Sequence, residues 1–323
     1  MPTIKEVADL AGVSVGTVSH VVSGAVPVSE PLRLKVEEAI RELDYHPNHV
    51  ARSLKTSRTR TLGIIVPDMT ISFYPQVIHG AETAARERGY SLIAVNSLES
   101  AERQKELISL MRSQQVEGIL LVIASAPTPM GHMARLIEAG IPVVCLDRVP
   151  DDNPVDSVSV DDESAAKMGT DHLRERGYSR IAIVTGPLHL RNEQRRLEGY
   201  RQSLRGDGVV WEESRCRERL RDAATRPDAL LCTNGPTALS ALRAMRDRGL
   251  KTPDDIGFVT FDELAVEDLF TPAITTIVQP AYEIGSRAAA ILLDRVAESP
   301  RAEGIRTVRL PATLRIRESS RSV

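Results

Sequence analysis

The chain has 323 residues, with 41 Lys and Arg against 44 Asp and Glu, a formal net charge of -3, 42% hydrophobic residues and 26% charged ones. At roughly 100–200 residues per domain this length implies two or three domains, and the composition excludes wholesale disorder. Three scattered cysteines (Cys145, Cys216, Cys232) and seven scattered histidines exclude a disulfide framework and a metal cluster; the N-terminus lacks the apolar run of a secretory signal, and no segment approaches the ~18 apolar residues of a membrane span, so a cytoplasmic protein without membrane contact, metal or cofactor is expected.

In chain order, Thr3 and Glu6 have capping-box spacing ahead of Ile4, Val7, Ala8 and Ala11. A helix therefore begins near residue 4 and stops at Gly12. Ser14 can cap a second helix over Val15 to about Val22, with Val18, Val21 and Val22 inward. A third, capped by Ser29, runs from about Pro31 to Leu43, and its face of Leu34, Val36–Ile40 and Leu43 closes a three-helix core. Two short helices joined by a glycine turn make the helix-turn-helix pattern; a small helical domain with no nucleic-acid role is the other reading. Residues 1–60 hold 8 Lys and Arg against 7 Asp and Glu. Within them Arg52, Lys55, Arg58 and Arg60 form an acid-free stripe, which either seats on phosphate or is a solvated linker.

Beyond residue 60 the pattern changes to short β-branched runs alternating with amphipathic segments. The runs Leu62–Val66, Ser91–Val95, Ile119–Ile123, Pro142–Leu146, Ile181–Thr185, Ala229–Cys232, Ile256–Phe261 and Ile274–Val278 read as buried strands. Helical patterns cover Tyr74–Arg88, Ala101–Gln114, Met130–Ala139, Glu163–Arg176, Asn192–Leu204, Pro236–Arg248 and Ala281–Ala297, several ending at a C′ glycine (Gly89, Gly140, Gly177, Gly249). This alternation predicts parallel sheets covered by helices on both faces, with ligands at the carboxyl ends of the strands. Arg88-Gly89-Tyr90-Ser91 recurs as Arg176-Gly177-Tyr178-Ser179, which points to two α/β lobes of one architecture with a cleft between them.

These residues resemble a family. Ile4-Lys5-Glu6-Val7-Ala8-Asp9-Leu10-Ala11-Gly12-Val13-Ser14 with Thr17-Val18-Ser19, and Tyr45-His46-Pro47-Asn48 with Ala51-Arg52-Ser53-Leu54, are similar to the start of LacI-type (lactose-repressor) transcription regulators. The resemblance continues through Gly63-Ile64-Ile65-Val66-Pro67, Asp147-Arg148, Arg196-Leu197-Glu198-Gly199-Tyr200 and Pro272-Ala273-Ile274-Thr275-Thr276-Ile277. It implies an α/β protein with a helix-turn-helix headpiece (residues 1–47), a hinge helix and linker (48–60), and a two-lobed core resembling periplasmic binding proteins (61–323). By the same resemblance lobe 1 takes about 61–160 and 279–309, and lobe 2 about 161–278 and 310–323. The implied function is a dimeric repressor that binds a palindromic double-stranded operator and answers to a small sugar-like effector. A regulator of the same fold with lost or protein-mediated control, or a soluble binding protein or enzyme, are the rival readings.

Carried over position by position, the DNA contacts fall on Thr3, Ser14, Val15, Gly16, Thr17, Ser19, His20 and Ser23, and in the hinge on Asn48, Ala51, Arg52, Leu54 and Lys55. Hydroxyls position on phosphate, while Val15, Gly16 and His20 occupy base-reading positions and Leu54 that of a minor-groove wedge. His20 stands where many members have Arg, so its pairing with a guanine edge is weaker. In the core no HExxH, GxSxG or P-loop motif marks a catalytic centre. Asp147, Arg148, Asp161, Arg196, Asn234 and Asp262 fall at or after strand ends, where they suit a polyhydroxy ligand, and Phe73 and Tyr74 could stack on it. Gly235 replaces the family's usual Asp, and the 201–233 segment is shorter than usual, so a trimmed sheet edge and a more open pocket are expected in lobe 2. No leucine heptad follows Ile316, and a coiled-coil tetramer is not expected.

Overall fold

Local chemistry builds the headpiece elements in this computed structural model, which describes residues 2–23, 26–45, 58–124, 136–137, 139–221, 223–264, 271–297 and 304–321. Helix α1 (Ile4–Ala11) is closed by the full capping box: Glu6 N–H donates to Thr3 Oγ1 at 3.3 Å, and Thr3 N–H donates to Glu6 Oε2 at 2.6 Å. Gly12 stops it in the left-handed region, φ 65°, where a Cβ is costly. Helix α2 (Val15–Ser23) starts on Ser14, whose Oγ accepts from Thr17 N–H at 3.1 Å. Helix α3 (Glu30–Glu42) has Pro in its first turn, but Ser29 makes no side-chain cap bond. Val7, Ala8, Ala11, Val18, Val36, Ala39 and Tyr45 form the core. Leu34, expected inside, is 52% exposed: it lies two residues before Val36, so a helix that buries Val36 and Ala39 turns it outward. The hinge lies outside the described residues, as does most of the helix expected at Met130–Ala139.

The rest of the chain, Arg60–Val323, is a separate compact unit with two six-stranded sheets. Strands β1 (Thr61–Val66), β2 (Ser91–Asn96), β3 (Gly118–Val122), β4 (Val143–Leu146) and β5 (Asp156–Val160) belong to the first; β6 (Ile181–Thr185), β7 (Val209–Glu212), β8 (Ala229–Cys232), β9 (Gly257–Phe261) and β10 (Thr275–Val278) belong to the second. The chain then returns for β11 (Thr307–Leu310) in the first sheet and β12 (Thr313–Arg315) in the second, so it crosses between lobes three times. The orders are β11-β5-β4-β3-β1-β2 and β12-β10-β9-β8-β6-β7. Every pairing is parallel except β12 against β10. Central strands are buried almost throughout, which is why they read as continuous apolar runs.

The same order in both sheets makes the lobes structural repeats, with β1 equivalent to β6 and β4 to β9. The recurring Arg-Gly-Tyr-Ser, however, does not mark equivalent places. Gly89 lies between helix α4 (Phe73–Glu87) and β2, whereas Gly177 lies between α6 (Asp162–Glu175) and β6. The shared letters record shared chemistry: both glycines have positive φ (74° and 96°), and both tyrosine N–H groups close the helix end, onto Ala85 and Leu173.

Two helices change lobes. Helix α6 follows β5 of the first sheet yet packs on the second with α7 (Arg191–Leu204); α10 (Ala281–Ala297) follows β10 of the second and packs on the first with α4. Both pairs cross with backbones nearly touching. A Cβ on Gly80 would lie 2.0 Å from the Tyr282 carbonyl, and one on Gly199 would lie 2.0 Å from that of Glu163.

The sheet edge of lobe 2 is not trimmed. β7 pairs along β6 with Trp211 buried beneath it. What is short is the next helix: α5 (Ala101–Ser113) has 13 residues in lobe 1, and its counterpart α8 (Cys216–Arg219) has 4. Between them, α9 (Gly235–Arg246) covers the same face of the second sheet.

Candidate functional site

On the described headpiece, α2 turns Val18 into the core and leaves Ser14, Val15, Gly16 and His20 exposed, with Thr17 and Ser19 half-buried. A Cβ at Gly16 would meet only Ser14 Oγ, at 3.5 Å, so packing does not require glycine there. Ser14 and Thr17 spend part of their hydrogen bonding on each other, 3.0 Å apart. Thr3 is exposed but committed to Glu6, whose carboxyl is held below its usual range by those bonds. Ser23 ends the helix. Asn48, Ala51, Arg52, Leu54 and Lys55 lie outside the described residues.

The core holds a cleft of about 350 Å³ at the carboxyl ends of both sheets. Seven of the eight residues expected at an effector line it: Phe73, Tyr74, Asp147, Arg148, Arg196, Asn234 and Asp262. Lobe 1 supplies Phe73 and Tyr74 from the start of α4, edge to face at 5.2 Å, and Asp147 and Arg148 from the end of β4. Tyr74 donates to Asp147 Oδ2 at 3.0 Å, and burial pushes its phenol well above the usual range. Arg148 grips Glu99 with both Nη groups, at 2.7 and 2.8 Å. Those neighbours outweigh burial and hold its charge.

Lobe 2 supplies Asp262 from the end of β9, Asn234 from the cap of α9 and Arg196 from α7. Arg196 is only 2% exposed. Its Nε donates to Asp162 at 2.7 Å, Nη1 to the Thr233 carbonyl and Nη2 to Gln279 at 3.2 Å, and its plane lies 4.2 Å over Phe261. Gln279 passes the chain on to Asp262 Oδ1 at 2.7 Å. Burial raises Asp262 to about 6, against the pull of Arg196 and Gln279.

Asp161 is the expected residue that does not belong. It caps α6, accepting from Ser164 N–H at 3.2 Å and Ser164 Oγ at 2.7 Å. Its neighbour Asp162 is the buried one, and the pair Asp161-Asp162 gave no sequence signal for which would turn inward. Asn234 lines the cleft with its amide already engaged: Oδ1 accepts from Thr237 N–H at 2.9 Å and Nδ2 donates to Glu193 at 2.8 Å. Glu193, Asn192 and Gln279 also line the cleft and were not singled out from sequence. For Glu193 a signal existed, since three residues separate it from Arg196 on one helix. The shortened segment takes part as well, through Glu213.

A helix-turn-helix unit followed by a two-lobed core with a polar cleft defines a ligand-responsive DNA-binding regulator. Residues 3–48 match the model of bacterial regulatory proteins of the lacI family, and residues 59–318 that of periplasmic binding proteins and the sugar binding domain of the LacI family. The chain is 33% identical to the HTH-type transcriptional repressor PurR of Vibrio atlanticus, covering 92% of this chain and 93% of that one. It is 32% identical to the ribose operon repressor of Escherichia coli K12, over 92% and 94%. Among solved structures, the Lac repressor dimer bound to operator and the anti-inducer ONPF superposes with a TM-score of 0.84 at 27% identity, over 99% of both chains. The chain belongs to the LacI family of bacterial regulatory proteins. It is a DNA-binding transcription regulator whose core binds a small molecule. Among the described residues, no helix is long and apolar enough to cross a membrane.

Proposed function

We propose that the chain is a cytoplasmic, non-catalytic repressor that binds a palindromic operator as a homodimer, and that a small sugar-like ligand in the cleft changes its DNA affinity. One observation carries the ligand half of this reading: two buried carboxylates, Asp147 and Asp262, come to one cleft from different lobes. A ligand that bonds both has unequal affinity for different lobe arrangements, and only such inequality can shift an equilibrium. For the DNA half, the exposed face of α2 offers Val15 to a thymine methyl and His20 to a base edge. Thr3, Ser14, Thr17, Ser19 and Ser23 supply hydroxyls for phosphate. Asn48, Ala51, Arg52, Leu54 and Lys55 form the hinge contacts by family likeness, with Leu54 as the wedge. Selection of bound DNA from a random pool, with and without a sugar library, tests the reading. Recovery of a twofold site with half-sites about 10 bp apart is expected, weakened or strengthened by one library class. A site without twofold symmetry overturns the dimer.

A further inference from the structure

The cleft is rich in acceptors and short of uncommitted cations. Six carboxylates line it: Asp68, Glu99, Asp147, Glu193, Glu213 and Asp262. Among the described residues only two guanidiniums do, and each is already ion-paired, Arg148 with Glu99 and Arg196 with Asp162, a seventh carboxylate; of their nitrogens, Arg148 Nε alone makes no hydrogen bond there. Three further donors are used too: Tyr74 on Asp147, Asn234 Nδ2 on Glu193 and Gln279 Nε2 on Asp262.

What is left over is mostly acceptor capacity. Asp147 uses one carboxylate oxygen, Oδ2, and Asp262 uses one, Oδ1; neither second oxygen has a hydrogen-bond donor among the described residues. Both residues are more than nine-tenths buried, and both line the cleft. A third acceptor, Asn192 Oδ1, is shut off from solvent and also meets no donor among the described residues. A buried acceptor such as Asn192 Oδ1 is costly until a donor reaches it, and the two free carboxylate oxygens face the cleft from which a donor would come.

Resting on the reading of this cleft as the effector site, we propose that the effector is a polyhydroxylated amine, an amino sugar or a close analogue, bound as its ammonium ion. An ammonium carries three donors and no acceptor, and it offsets surplus negative charge in a site of low dielectric. A neutral polyol would meet the acceptors and leave the charge. A phosphorylated or carboxylated ligand would add to it, and both guanidiniums that could receive it are already ion-paired. Asp262 already shows the strain of this surplus: after burial, the repulsion of Asp147 and Glu193 adds to its raised affinity for a proton. An ammonium between Asp147 and Asp262 would draw on both lobes at once.

The test is calorimetric titration of the full-length protein at pH 7 with matched sets in the gluco, galacto and manno series. Each set holds the neutral hexose, the 2-amino-2-deoxyhexose, its N-acetyl derivative and the hexose 6-phosphate. In at least one series the amine should bind tenfold or more tightly than its N-acetyl and neutral partners, and the phosphate should not bind. Asp262→Asn should reduce that preference about tenfold. A neutral or phosphorylated sugar binding as tightly as its amine overturns the charge inference and leaves the cleft as effector site. Binding by no member of any set overturns both.

Discussion

Asp147 and Asp262 are the same residue of the architecture, placed once in each lobe. Each follows the fourth strand from the edge that β2 or β7 forms, counting β2-β1-β3-β4 and β7-β6-β8-β9. Each lies in the left-handed region, φ 59° and 66°. Each donates its N–H across to the neighbouring strand at 3.1 Å, Asp147 to Val158 and Asp262 to Ile277. That conformation lifts the side chain off the strand and into the cleft, and Asp and Asn adopt it at less cost than most residues.

The environment of the two is unequal, and this gives a pH prediction. Asp262 binds its proton more tightly folded than unfolded, about 6 against 3.8. The folded state therefore holds more protons between these values, and the contribution of this group to stability falls as pH rises from about 4 to 7. Asp262→Asn keeps the left-handed backbone and removes the titration. Its stability should match wild type near pH 4 and exceed it at pH 7.5, by at most ~3 kcal/mol. Urea unfolding at the two pH values reads the difference; a gap that does not change with pH would rule out Asp262 as the titrating group.

Arg196 is as much structure as site. Its guanidinium ties α7 to Asp162 on α6, to β8 through the Thr233 carbonyl, and to Gln279 beyond β10. Arg196→Met leaves the Asp162 carboxylate buried without its partner, and should cost ~3–5 kcal/mol. Adding Asp162→Leu should recover most of that loss, because two apolar groups of similar volume need no pairing. Denaturation of the single and double variants decides it. Equal stability in the two would show that the pair is not what α6 and α7 depend on.

The contrast in legibility follows from what each residue needs from its neighbours. β1, β3, β4, β6 and β9 carry their β-branched residues within the strand itself, and β8 is a short apolar run, so composition reveals them. β5 mixes Asp156, Ser157 and Ser159 with its valines, and β11 and β12 are three or four residues long; their burial or pairing comes from elements far along the chain. The same applies in the cleft. Asp147 and Asp262 stand at the ends of legible strands. Asn192 and Glu193 lie in the first turn of α7, just beyond β6, and Gln279 just beyond β10; for Asn192 and Gln279 the residue type alone carries no signal of the cleft, whereas Glu193 has its spacing to Arg196.

The helix crossings offer a steric test. A Cβ on Gly80 would sit 2.0 Å from the Tyr282 carbonyl, and one on Gly285 1.9 Å from that of Val77. Both obstacles are backbone, so α4 and α10 must separate to admit a methyl group. Gly80→Ala and Gly285→Ala should each destabilise by more than ~3 kcal/mol, despite the ~1 kcal/mol that Ala gains over Gly in a helix. Gly16→Ala, in open space on α2, should show only that gain. Thermal unfolding of the three separates crowding from propensity; a neutral Gly80→Ala would mean the helix pair can shift freely.

Outside the cleft, Asp151 ties the lobes together through two ion pairs. Asp151, just beyond β4, meets Arg191 at 2.8 Å and Arg195 at 2.7 Å, both on the first two turns of α7. Asp151 is 62% exposed, so water and salt screen both pairs and their joint worth is at most ~1 kcal/mol. That amount is negligible for folding but shifts a two-state opening of the lobes about fivefold. Asp151→Ala should therefore leave the unfolding midpoint almost unchanged while raising the open fraction up to about fivefold at 50 mM salt. At 1 M salt the variant and wild type should converge. Spin labels on introduced surface cysteines, one per lobe, report the separation by pulsed dipolar spectroscopy, since Cys145, Cys216 and Cys232 are buried. A difference that persists in high salt would show that Asp151 acts through packing and not through charge.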